Sequence, residues 1–255
     1  MTKISSYNVN GIRAAHRKGF VDWIKTSNPD ILCLQEIRSD ISQIPKDISD
    51  LDFYKYYHLA QKKGYSGVAI YCKEKPIHVK EGIGIDWIDD EGRILMVEFE
   101  KLRVISVYVP SGTTGDVRQE LKMSFLEDFI TFATSYLSDS KPTLICGDVN
   151  ICHTEIDIHN PIQNSTTSGF LPEEREWVSR FLETGYEDVF RNMHQNKKDL
   201  YSWWSYRAAS KERNKGWRID YHFATKEIAK KATHAIIEKE WDISDHAPVS
   251  ITYSI

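Results

Sequence analysis

The chain has 255 residues, of which 41% are hydrophobic and 12% aromatic, enough to bury one large core. No apolar run reaches membrane-spanning length and the amino terminus carries no signal-peptide pattern, so a soluble, cytoplasmic monomer without a membrane partner is expected. A net charge of −4 argues against holding nucleic acid by bulk positive charge, while leaving room for a local basic face.

Lys3 to Val9 alternates as a strand does and ends at Asn8-Val9-Asn10-Gly11. Ile12 to Ser27 reads as one helix with Ile12, Phe20, Val21, Trp23 and Ile24 inward, closed by Asn28-Pro29-Asp30. Ile31 to Leu34 is a short buried strand that delivers Gln35 and Glu36 to a sheet rim, although Glu36 would also suit a first helical turn. Strand-like segments follow around Phe53 to Leu59, Gly67 to Lys73, Ile77 to Lys80, Ile94 to Glu100 and Arg103 to Val109. Lys62 to Gly67 is the turn between the first two. Strands without intervening helices predict hairpins and a mixed, mainly antiparallel sheet. Asp116 to Leu137 is a long helix whose stripe is Leu121, Phe125, Phe129, Ala133 and Leu137.

Thr143 to Cys146 reads as a buried strand that stops at Gly147 and delivers Asp148 and Asn150. In an extended chain those two side chains share one side. Gly, Asp and Asn also form turns, so the block alone leaves a solvated turn open. Asp148-Val149-Asn150 echoes Asn8-Val9-Asn10, as a fold of two similar halves would, or as chance would. A polar loop, Ile151 to Leu171, precedes a helix that starts at Pro172, with Glu173 and Glu174 in its first turn and Trp177, Phe181 and Leu182 buried. Tyr201 to Tyr206 is read as an aromatic strand, Lys211 to Arg218 as a basic loop, and Arg218 to Phe223 and Ala232 to Glu240 as further strands. Ser244-Asp245-His246-Ala247-Pro248 leads into the closing strand, Val249 to Tyr253. No linker or repeat array divides the chain, so residues 1–255 form one domain. Four cysteines, Cys33, Cys72, Cys146 and Cys152, form no CxxC pair and fit buried free thiols.

The polar residues at strand ends are Asn8, Asn10, Glu36, Tyr108, Asp148, Asn150, Asp220, Asp245 and His246. The set is rich in oxygen and holds one histidine, which suits Mg²⁺ or Mn²⁺ and suits zinc poorly.

Seven blocks in order carry a resemblance: Tyr7-Asn8-Val9-Asn10-Gly11-Ile12-Arg13-Ala14, Leu34-Gln35-Glu36, Gly64-Tyr65-Ser66-Gly67-Val68, Tyr108-Val109-Pro110, Gly147-Asp148-Val149-Asn150, Gly216-Trp217-Arg218-Ile219-Asp220-Tyr221 and Ser244-Asp245-His246-Ala247-Pro248. The sequence resembles the exonuclease III family of apurinic/apyrimidinic (AP) endonucleases, within the endonuclease/exonuclease/phosphatase superfamily. The resemblance implies an α/β (α+β) fold, a four-layered αββα sandwich of two mixed, mainly antiparallel sheets flanked by helices. It also implies Mg²⁺-dependent hydrolysis 5′ to abasic sites in double-stranded DNA, with 3′→5′ exonuclease and 3′-phosphatase action at 3′ ends. A phosphatase of inositol phosphates and a non-catalytic DNA-binding module are the alternatives.

By the same resemblance Glu36 is the main metal ligand, with Asn8 and Asp245 near the ion and Asn10 supporting them. Asp148 orients and deprotonates the attacking water, held by Asn150. His246 contacts the scissile phosphate, with its tautomer set by Asp220, and Tyr108 contacts the phosphate too. Trp203, Trp217 and Ile219 match a pocket for a flipped abasic sugar, although Trp203 also suits the core. Asn164 matches a phosphate-contacting position. Lys62, Lys63, Lys211, Arg213, Lys215 and Arg218 are candidates for backbone phosphates. Ser111 and Thr167 stand where relatives carry longer amides, which bears on the grip on DNA.

Overall fold

A strand buried on both faces must be apolar on both, and Thr143 to Cys146 meets that demand. In the computed structural model, which describes residues 1–255, Leu144 and Cys146 enter one core while Ile145 enters another. The first sheet runs β11 (Ala232–Ile237), β12 (Val249–Tyr253), β1 (Thr2–Asn8), β2 (Ile31–Gln35), β4 (Val68–Cys72), β3 (Tyr54–His58). The second runs β5 (His78–Glu81), β6 (Ile94–Glu98), β7 (Arg103–Tyr108), β8 (Thr143–Asp148), β10 (Asp220–Thr225), β9 (Tyr186–Asp188). Their facing sides share a core that includes Ile4, Cys33, Val68 and Ile70 from one sheet and Leu95, Val104, Leu144 and Cys146 from the other. On the outer side of the first sheet, Tyr7, Leu32 and Leu34 pack on Phe20, Trp23 and Ile24 of the helix Phe20–Ser27. On the outer side of the second, Ile105 and Ile145 pack on Phe125 and Phe129 of the helix Asp116–Ser135 and on Trp177 and Phe181 of the helix Pro172–Glu183. The result is the expected four-layered αββα sandwich.

Two parallel pairs place the chemistry. β1 pairs parallel with β2, and β7 with β8; the other ladders are antiparallel. Asn8 lies across from Gln35, and Tyr108 across from Asp148. β10 runs back along β8 with Asp220 opposite Asp148, and β12 runs back along β1 from Val249. Four strand ends and two strand beginnings therefore share one rim of the sandwich.

The echo between the two Val-Asn segments has a structural counterpart. Asn10 and Asn150 both take left-handed backbone conformations, φ 45° and 56°. Asn10 N donates to Asn8 Oδ1 at 3.0 Å, and Asn150 N to Asp148 Oδ1 at 2.9 Å. Each is a side-chain-closed turn at the end of a strand inside its own sheet.

Several elements differ from expectation. Ile12 to Ser27 is two helices, Ile12–Arg17 and Phe20–Ser27, because Gly19 takes φ 93° and breaks the run. Tyr201 to Tyr206 is no strand; only Trp203 makes isolated bridges, to Trp217 and His246. β8 continues through Gly147 to Asp148, two residues past the apolar run. A Cβ at Gly147 would stand 1.9 Å from Val107 O, so only glycine lets β7 and β8 stay paired there. Leu182 is half-buried rather than buried. β9 and the short helix Val189–Met193 fall outside the expected elements. All four cysteines are free and buried, and no helix is long and apolar enough to cross a membrane.

Candidate active site

The rim holds a cavity of about 340 Å³, lined in part by Asn10, Glu36, Tyr108, Asp148, Asn150, Trp203, Trp217, Ile219, Asp245 and His246. Asn8 and Asp220 stand behind its wall. One ligand atom from each of Glu36, Asp148 and His246 lies within 4.8 Å of the others.

Asn8 is the tie between the sheets. Its Nδ2 donates to Glu36 Oε1 at 2.9 Å and to Asp148 Oδ2 at 2.8 Å, while its Oδ1 accepts from Asn10 N. That amide bridges two carboxylates that line the cavity, Glu36 and Asp148. Asn10 Nδ2 donates to Asp245 Oδ1 at 2.9 Å, and Trp203 Nε1 to Asp245 Oδ2 at 3.0 Å. Asn150 Nδ2 reaches Val109 O at 2.9 Å and Asp148 Oδ2 at 3.3 Å. Asp148 and Asn150 thus meet through a turn, not through extended alternation.

His246 is oriented by Asp220: Nδ1 lies 2.9 Å from Oδ2 and 3.2 Å from Oδ1. A carboxylate can only accept, so Nδ1 carries the hydrogen and Nε2 faces Asp148 Oδ2 at 3.8 Å. Burial disfavours the charged ring, but Asp220 and Asp148 outweigh it and raise the His246 pKa to about 10. Burial is the main cause that lifts Asp148 to about 7; Asp220 and Glu36 add to it, and His246 opposes it. Burial likewise disfavours the charge on Asp245, yet His246, Asn10 and Trp203 hold that carboxyl below its usual range.

Tyr108 lines the cavity above Arg93, a buried guanidinium 4.7 Å from its ring centroid that also donates to Tyr108 O at 2.9 Å and to Tyr65 Oη at 3.0 Å. Sequence reading missed Arg93, since nothing in an apolar strand start flags a buried arginine. It also missed Arg38, whose guanidinium pairs with Glu36 Oε2. Trp203 and Trp217 meet edge to face, centroids 5.9 Å apart, beside Ile219. Ser111 and Thr167 both reach the cavity wall, where Ser111 Oγ lies 3.0 Å from Thr113 Oγ1.

Two candidates lie elsewhere. Arg218 is fully buried: Nε donates to Asp157 Oδ1 at 2.6 Å and a terminal nitrogen to Asp188 Oδ2 at 2.7 Å. A guanidinium clamped between two interior carboxylates is scaffold, not a contact for DNA. Asn164 is absent from the cavity lining, and its amide donates to His159 O and Asn160 O, each at 3.0 Å. In the basic loop, Lys211 is spent on Trp241 O and Asp242, whereas Arg213 and Lys215 are exposed.

The donor set fits a hard divalent cation. Glu36 Oε2 is buried, meets only the Arg38 guanidinium, and faces a cavity rich in oxygen. His246, kept charged by Asp220, suits an anion better than a metal.

The endonuclease/exonuclease/phosphatase family model matches residues 5–246. Exodeoxyribonuclease of Bacillus subtilis is 40% identical over 99% of this chain and 100% of its own length. DNA repair nuclease APEX1 of Danio rerio is 36% identical over 99% of this chain and 82% of its own. An AP endonuclease from Archaeoglobus fulgidus shares the fold with a TM-score of 0.89 and 28% identity, covering 100% of both chains. The chain therefore belongs to the endonuclease/exonuclease/phosphatase family.

Proposed function

We propose that this protein is a Mg²⁺-dependent DNA-repair nuclease that hydrolyses the phosphodiester 5′ to abasic sites in duplex DNA, with 3′→5′ exonuclease and 3′-phosphatase action on 3′ ends. The relatives named above as exodeoxyribonuclease and DNA repair nuclease support the substrate class. The observation that carries the reading is the convergence of Glu36, Asp148 and His246 on one cavity beside an aromatic wall.

Glu36 would be the principal holder of the cation, with Asp245 a second carboxylate on the cavity wall; Mg²⁺, or Mn²⁺ in its place, would supply Lewis-acid neutralisation of the phosphodiester. Asp148, poised at about 7, accepts the proton of the attacking water. Asn8 and Asn150 fix the direction of its carboxylate. The His246 imidazolium, held by Asp220, donates to a phosphate oxygen and stabilises the charge that builds there. Tyr108, backed by Arg93, offers a hydroxyl to the same phosphate. Trp203, Trp217 and Ile219 form an apolar recess shaped for a sugar without a base, which is cheap to extrude from a duplex.

The test is a comparison of substrates. A duplex with one abasic site, a duplex with a 3′-phosphate and an inositol polyphosphate are each incubated with the protein and Mg²⁺. Incision beside the abasic site is expected; turnover of the inositol polyphosphate alone would replace this reading.

A further inference from the structure

Lys122 breaks the pattern of its own helix. Phe125, Phe129 and Ala133 on the inward face are apolar, yet Lys122 is fully buried among them. Its ammonium donates to Glu174 Oε1 at 2.5 Å and to the backbone carbonyl of Asn150 at 2.8 Å. Glu174, also fully buried, accepts from Gly169 N at 2.6 Å, Leu171 N at 3.0 Å and Ser168 Oγ at 3.3 Å.

A buried ion pair is seldom a net gain over apolar side chains of the same size. Stability therefore gives no reason for this one. What an apolar pair cannot do is bond these particular backbone groups. Asn150 is held in a left-handed conformation, φ 56°. Gly169 takes φ +98°, and a Cβ there would stand 2.7 Å from Trp217 Cζ3 and 3.2 Å from Asn150 O. The strand end, the loop end and the aromatic wall are pressed together where Lys122 and Glu174 bond to them.

We infer that Lys122 and Glu174 are positioning residues that lock Asn150 and the Ser168–Gly169 wall into one register over the cavity. Lys122 fixes the carbonyl of the residue that orients Asp148. Glu174 fixes the loop that closes on Trp217. The inference rests on the nuclease reading above.

Lys122→Met/Glu174→Gln removes both charges together and keeps an acceptor for the Gly169 and Leu171 amides, but severs the bond to Asn150. On an abasic duplex, kcat is expected to fall about ten- to a hundredfold, with KM little changed and the thermal midpoint near the parent's. A parental kcat would overturn the inference. Amide hydrogen exchange of the unaltered protein reads the tie without any substrate: Gly169 and Leu171 are expected to exchange as slowly as the amides of β8. Exchange as fast as in the exposed part of the loop would also overturn it. That second measurement decides the matter if the double variant does not fold, or if the parent itself fails to incise DNA and the nuclease reading falls.

Discussion

At the scale of single residues the site turns on who neutralises whom. Asp148 is lifted to about 7, and burial is the chief reason. Asp148→Asn should lower the incision rate about a thousandfold while binding of duplex DNA persists, as loss of a general base does. Undiminished single-turnover incision would remove Asp148 from the mechanism. Arg218 tests the opposite kind of role. Arg218→Met leaves buried Asp188 without its ion-pair partner and Asp157 with Arg191 alone, and should cost about 3–5 kcal/mol in urea unfolding. A DNA contact would instead leave stability alone and take about one unit from the salt slope of binding. Arg93, missed in the sequence, and Arg218, misread from it, share a cause: a charged residue beside an apolar run is expected at the surface. Only the tertiary partners, Tyr108 for one and two aspartates for the other, make burial tolerable.

At the scale of elements, β10 joins the site to the core. It starts at Asp220 and, two residues on, carries His222, fully buried, with Nε2 3.1 Å from Val249 O. Burial lowers the His222 pKa from 6.5 to about 4. The folded ring is then neutral over a window in which the unfolded chain takes up a proton. Stability from this residue is present above pH 6.5 and is lost as pH falls toward 4, a change of about 3 kcal/mol. In His222→Gln that part of the pH dependence should vanish. Urea unfolding across the window checks it; equal slopes in variant and parent would refute the assignment.

Strands and long helices were legible at this scale because periodicity reports which face is buried. The split at Gly19 and the bridge-only conformation around Trp203 were not. Gly19 sits inside an unbroken apolar pattern, and the Trp203 segment has strand-like residues whose hydrogen bonds go to a loop, Trp217 and Asp245, rather than to a ladder.

Across the whole molecule, the site exists because two parallel strand pairs end at one rim. Pattern could suggest that Asn8, Glu36, Tyr108 and Asp148 each follow a strand. It could not say that those strands are neighbours, since pairing is set by contacts between distant segments. Asn8 makes the point: a single amide bridges Glu36 and Asp148, residues of different sheets. Its role as a tie is visible only once both sheets are in place. The order of the seven motifs carried the resemblance, and the geometry supplies their physical reason.

The proposed hydrolysis rests on one cation-assisted centre built by both sheets. Its most direct test is single-turnover incision of a duplex that carries one tetrahydrofuran abasic analogue, with Mg²⁺, after chelation, and after Mg²⁺ is restored. Incision 5′ to the analogue should appear only when Mg²⁺ is present, and Glu36→Gln should demand far more of it. Incision that persists in excess chelator, or a Glu36→Gln variant with the parent's Mg²⁺ requirement, would contradict the account.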